Sequence, residues 1–145
     1  MVVLSEFHSD FSIAASRPAA TDDEVIQLRA LSQINVPDEY VELITAATEL
    51  EISVRGESYI RIWGPTGAVE MNESYNIQSF IPLSLAVGDD EGGNALLYMT
   101  GKRGFGLYLA GFGDLDVDDA TFLATSLRNL LVNGCGVDTI LSGGI

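Results

Sequence analysis

The chain has 145 residues, 47% of them hydrophobic and 19% charged, which gives one domain a core of its own and is too apolar for a disordered tail. Seven Lys and Arg stand against 21 Asp and Glu, a formal net charge of −14. That balance argues against nucleic-acid binding and against a polybasic membrane surface, since both need surplus cations.

A single cysteine, Cys135, rules out an internal disulfide and points to a reducing compartment. A single histidine, His8, removes most zinc chemistries and any triad that needs a catalytic imidazole, unless His8 supplies it. Met1–Leu4 is apolar, but Glu6 and Asp10 follow without a basic region, so no secretion signal is read. No uncharged apolar run reaches the roughly 18 residues of a membrane span, and the expected location is cytoplasmic.

Residues 1–17 are weakly patterned and are expected to form an arm or irregular segment. Thr21-Asp22-Asp23-Glu24 is a capping box, and Val25, Leu28 and Leu31 follow at helical spacing. Pro37 restricts Val36, ends that helix and suits the first position of another. In the second helix Tyr40, Leu43, Ile44 and Ala47 form one stripe, with Asp38 and Glu39 in the first turn. From Glu49 the period is two: Leu50, Ile52 and Val54 alternate with Glu49, Glu51 and Ser53. Tyr59–Trp63 reads as a second strand, Gly64-Pro65-Thr66-Gly67 as a turn, Ala68–Met71 as a short strand and Asn72–Gln78 as a polar loop. The apolar run Phe80–Val87 carries Pro82, which suits a sheet edge or a strand start. Residues 88–93 are a loop, Ala95–Met99 and Phe105–Ala110 are strands, and residues 100–104 connect them. A last helix is expected from a cap at Asp116 or Asp118 through Phe122, Leu123, Leu127, Leu130 and Leu131 to Asn133-Gly134. Residues 18–134 thus read as one domain and 135–145 as a Gly-rich tail. The expected fold class is α+β, a twisted and mainly antiparallel sheet with two N-terminal helices and one C-terminal helix.

The chemical motifs are incomplete. Asp114-Leu115-Asp116-Val117-Asp118 starts like a calcium loop, but Asp119 stands where glycine is needed and Thr125 where a bidentate glutamate is needed. Asp89-Asp90-Glu91 beside Gly92-Gly93 offers oxygens to a divalent cation, or forms a solvated turn or a partner contact. Gly101-Lys102-Arg103-Gly104-Phe105-Gly106 lacks phosphate-loop spacing and precedes a strand. No nucleophile elbow exists, and no spacing singles out a carboxylate pair. Hence no catalytic residue, no metal site and no cofactor is assigned. Trp63, the only Trp, is either a core or rim aromatic or an interface anchor; Tyr75, between Asn72 and Asn76, has the same two readings.

The order of these features resembles the SMI1/KNR4 family of the SUKH superfamily. Val36-Pro37-Asp38-Glu39-Tyr40 resembles that family's opening of the second helix, Tyr59–Trp63 its strand ending in an aromatic, and Asn72-Glu73-Ser74-Tyr75 its next element. Pro82, then Val87-Gly88-Asp89-Asp90-Glu91-Gly92-Gly93, resembles its Gly-Gly turn, and Phe122–Leu131 its closing helix. The likeness covers residues 18–132. It departs where an Asn-Gly pair often follows the second helix, since Ala46-Ala47-Thr48-Glu49 stands there.

The resemblance implies a non-enzymatic, α+β protein-binding domain. It implies an immunity protein that neutralises a cognate bacterial toxin of the nuclease or deaminase class. The acidic surface suits a partner with a basic one. The expected contact residues are Trp63, Glu70, Asn72, Tyr75, Asp89, Asp90 and Glu91. Two alternatives stand beside this: a small metal- or ligand-binding domain or enzyme using the acidic loops, and a general regulatory scaffold.

Overall fold

In the computed structural model, residues 6–144 are described; Met1–Ser5 of the expected arm and Ile145 lie outside them. Seven antiparallel strands form one open sheet in chain order: β1 (Phe11–Arg17), β2 (Thr48–Val54), β3 (Ser58–Ile62), β4 (Leu85–Asp89), β5 (Asn94–Gly101), β6 (Gly104–Gly111) and β7 (Thr121–Ala124). Among the described residues the six helices are α1 (Asp22–Leu31), α2 (Asp38–Ile44), α3 (Pro65–Ser74), α4 (Ile77–Phe80), α5 (Leu127–Leu131) and α6 (Val137–Leu141). The fold class is therefore α+β with a mainly antiparallel sheet, but it carries more helices than the three expected. No helix among the described residues is long and apolar enough to cross a membrane.

Residues 21–62 follow the sequence closely. The capping box forms: Thr21 Oγ1 accepts from Glu24 N, and Thr21 N donates to Glu24 Oε1 at 2.9 Å. Thr66 Oγ1 donates to the other Glu24 oxygen at 2.9 Å and ties α1 to α3. The Thr21 amide first, then the Thr66 hydroxyl, hold the Glu24 carboxyl below its usual range. The α2 stripe is buried as expected, and the Tyr40 hydroxyl donates to the Trp63 carbonyl at 2.6 Å. In β2, Leu50, Ile52 and Val54 are fully buried, while Glu49, Glu51 and Ser53 stay partly open on the other face. Ala95–Met99 of β5 is buried at every position, so that strand is covered on both sides.

Five segments correct the sequence reading. Residues 11–17, expected to be irregular, form edge strand β1. Only Phe11 of that strand is buried, so no apolar alternation marks it; main-chain pairing with β2 makes it a strand. The expected turn and strand at 64–71 are instead the start and body of α3. Gly64 is its N-cap, Pro65 takes the first helical position, and Pro65, Ala68 and Asn72 face inward at helical spacing. The expected loop at 72–78 holds the end of α3 and the start of α4. The expected C-terminal helix is split. Residues 121–124 pair with β6 as β7, and Ser126 caps the short α5 by accepting from Asn129 N. Leu123, Leu127, Leu130 and Leu131 are all buried, so their spacing served a strand and a helix in turn. The Gly-rich tail contains α6, which buries Val137 and Ile140. Gly136 enters α6 at φ 95, and a Cβ there would lie 2.5 Å from the Leu123 carbonyl oxygen, so the approach of α6 to β7 requires glycine.

Two polar side chains close the architecture. Asn72 is 1% exposed and uses every donor and acceptor it has. Its amide nitrogen donates to the carbonyls of Ala68 at 2.7 Å and Ala86 at 2.9 Å. Its oxygen accepts from Ala86 N at 3.0 Å and Gln78 Nε2 at 2.8 Å. β3 leaves the sheet at Trp63, whose amide donates to Val87 O at 2.8 Å, and the Asn72 amide group then takes the place of a strand neighbour for Ala86. Glu39 of α2 does the equivalent for a helix end. Its carboxylate accepts from Leu127 N at 2.7 Å, Arg128 N at 3.1 Å and the buried Tyr98 hydroxyl at 2.6 Å, capping α5 from another element. Burial first, and then the Glu39 charge, push the Tyr98 phenol well above its usual range.

Candidate protein-interaction site

Cross-strand register places Glu51, Arg61 and Asp89 abreast on the face of β2, β3 and β4 that the core leaves open. Arg61 Nη2 lies 3.2 Å from Glu51 Oε2 and 3.4 Å from Glu91 Oε1. Its Nε is buried without a partner among the described residues. Gly88 permits this close crossing of β3 and β4, because a Cβ there would collide with the Arg61 carbonyl oxygen. Beside Arg61 a cleft of about 580 Å³ is lined by Ala15–Pro18, Glu49 and Glu51. Burial first, and then the neighbouring Glu51 and Asp89 charges, raise the Glu91 carboxyl above its usual range; Arg61 opposes them.

The expected contact residues divide into three groups. Trp63, Asp89 and Glu91 come together: Trp63 Nε1 donates to Asp89 Oδ2 at 2.8 Å, and Glu91 N donates to Asp89 Oδ1 at 2.8 Å. Trp63, however, is 3% exposed and packs in the core, so its indole is not a surface anchor. Asp90 builds its own turn, accepting from Gly92 N at 2.9 Å, Asn94 N at 3.0 Å and Asn94 Nδ2 at 2.8 Å. Glu70 and Tyr75 are exposed on and just after α3, whereas Asn72 points inward and is structural. Because the Asp89 oxygens are engaged by the Trp63 indole and the Glu91 amide, and the Asp90 oxygens by their own turn, the three acids do not converge on one point. Among the described residues no group of three or more His, Cys, Asp or Glu is placed to hold a metal ion.

Sequence reasoning missed Phe112, Phe80 and the acidic loop beside them as a surface. The Phe112 ring stands 6.5 Å from Trp63 and 4.4 Å from Tyr75, so it joins the buried indole to an exposed tyrosine. Phe112 N donates to Gly93 O at 3.0 Å, which fixes the β6–β7 loop against the acidic turn. A groove of about 210 Å³ runs between Phe80, Phe112 and Leu115 and is bordered by Asp114, Asp116 and Asp119. An aromatic isolated between Gly111 and Gly113, followed by alternating aspartates, was the sequence signal for it.

No protein-family model matches the chain, and no curated protein matches it.

Proposed function

We propose that this chain is a non-catalytic protein-binding domain, an immunity protein of the SMI1/KNR4 kind that neutralises a toxin of the nuclease or deaminase class by occupying its basic surface. The observation that carries this reading is how the charge is disposed. Arg55 faces Asp10 and Asp138, Arg61 faces Glu51 and Glu91, and Arg128 faces Glu6, so these three of the seven cations are engaged internally. The surplus carboxylates remain at the surface, where they set a long-range negative field. A nuclease cleft is cationic because it must attract phosphate, and such a field steers the inhibitor onto it and masks it without any bond being made or broken. The sheet supplies a rigid base, and the turns at 88–93 and 112–119 supply the contacts.

The test expresses the product of the gene adjacent to this chain's own as the candidate toxin and measures direct binding to it, followed by stopped-flow kinetics across a salt series. The expected result is an association rate that falls steeply between low and physiological ionic strength while dissociation changes little. No binding at micromolar protein would overturn the proposal.

A further inference from the structure

The groove between Phe80 and the 112–119 loop joins two features, an exposed aromatic wall and a rim of aspartates. Phe80 is 58% exposed and Tyr75 is 41% exposed, an apolar area in an otherwise acidic molecule. Asp114, Asp116, Asp118 and Asp119 fall within six residues, and none is in an ion pair with any described residue. The groove is anchored from beneath. Phe112 is held through the Gly93 carbonyl and against Trp63, and the loop is turned by the Asp114 N to Gly111 O bond at 3.0 Å. Asp116 Oδ1 accepts from Asp118 N at 2.8 Å, so the rim has a defined shape and is not a loose acidic run.

From this we infer that the groove is the docking site for a basic segment of the partner. That segment places one apolar side chain against Phe80, Phe112 and Leu115 and sets lysine or arginine groups against Asp114, Asp116 and Asp119. Charge complementarity selects the occupant. A purely apolar segment would bury the rim carboxylates unpaired, and an acidic one would be repelled. The apolar contact supplies slow dissociation and the rim supplies fast association, a division of labour that neither feature achieves alone. This assignment rests on the proposed function and names the surface it uses.

The experiment follows amide chemical shifts of the labelled protein during titration with two end-blocked heptapeptides. One alternates lysine with leucine, and the other alternates lysine with serine. The expected result is that shifts for the lysine–leucine peptide concentrate at residues 75–83 and 112–119. Its affinity should exceed that of the lysine–serine peptide by about tenfold, the value of burying a modest apolar side chain. Phe80→Ser should abolish the difference between the peptides. Joint Asp114→Asn, Asp116→Asn and Asp119→Asn substitution should weaken both. These side chains are at the surface, and an unchanged urea midpoint shows that the variants are folded. Equal affinity for the two peptides, binding of neither, shifts centred on the β2–β3 face, or indifference to Phe80→Ser would each overturn the groove. Failure of the toxin-domain experiment removes the partner class instead and leaves the peptide selectivity to be judged separately.

Discussion

Replacing Asn72 tests the proposal that one side-chain amide substitutes for a missing strand. Asn72→Ala removes four hydrogen bonds at a site that is 1% exposed. The Ala86 N–H and C=O are then orphaned in the interior, each at a cost of about 1–3 kcal/mol. Together with the void, the expected loss is about 3–5 kcal/mol, a large share of the roughly 5–15 kcal/mol by which a domain is stable. Asn72→Leu refills the void and leaves the same orphans, so it should recover little. Asn72→Asp is the decisive variant. It keeps the acceptor for Ala86 N but turns an oxygen toward the Ala68 and Ala86 carbonyls in place of two N–H donors. Burial and that repulsion raise the folded carboxyl above the roughly 3.9 of an unfolded aspartate. The stability of this variant is therefore highest below the unfolded value and is lost as pH rises through the folded one. At neutral pH Asn72→Asp should be less stable than Asn72→Ala, and the order should close or invert near pH ~4. Urea unfolding followed by Trp63 fluorescence at both pH values measures it, with midpoint and slope fitted together. Destabilisation below about 1 kcal/mol in Asn72→Ala, or no pH dependence in Asn72→Asp, would refute the reasoning.

Glu39→Ala should cost about 3–4 kcal/mol by uncapping α5 and stranding the Tyr98 hydroxyl, and a double-mutant cycle with Tyr98→Phe in urea should show strong coupling. The Trp63 fluorescence of the folded protein should be blue-shifted and resist iodide, and Trp63→Phe should lower stability by about 1–3 kcal/mol through the lost Asp89 bond and packing. Red-shifted, iodide-accessible emission would contradict the burial. Glu91→Gln should raise the melting temperature at neutral pH, with a stability gain below about 1 kcal/mol because the side chain stays partly open to solvent. Since the folded Glu91 carboxyl lies above its unfolded value, its charged form is the costly one, and the gain should vanish as pH falls below the carboxylate range. Equal melting shifts at pH ~7 and pH ~4 would count against the raised Glu91 carboxyl.

What the sequence disclosed and what it hid divide along burial. Tyr40, Leu43, Ile44 and Leu50–Val54 repeat with the period of their elements because one face of each meets the core. β1 shows no such period, since an edge strand held through its main chain needs no apolar alternation. α3 was hidden because its inward position 72 is polar, and the turn-forming pair Gly64-Pro65 also begins helices. Leu123 and Leu127 fit a helical stripe although a strand ends between them, at Ala124. Of the candidate site, Tyr75 and Glu91 were legible as exposed aromatic or polar residues between apolar runs. For Trp63 the core and anchor readings both stood, and burial decides for the core; the inward placement of Asn72 was not legible, because it depends on Ala86, which reaches it only once the sheet has closed.

The Glu39 cap spans 88 positions of chain before it meets the Leu127 amide. A loop of that size closes only after nearly all of the polypeptide is available, so Glu39 waits without its amide partners until α5 has been synthesised and docked against α2. Completion of the domain is thereby deferred to its last segment. A chain cut before Leu127 would lose the amides of α5 and leave the acid with the tyrosine alone.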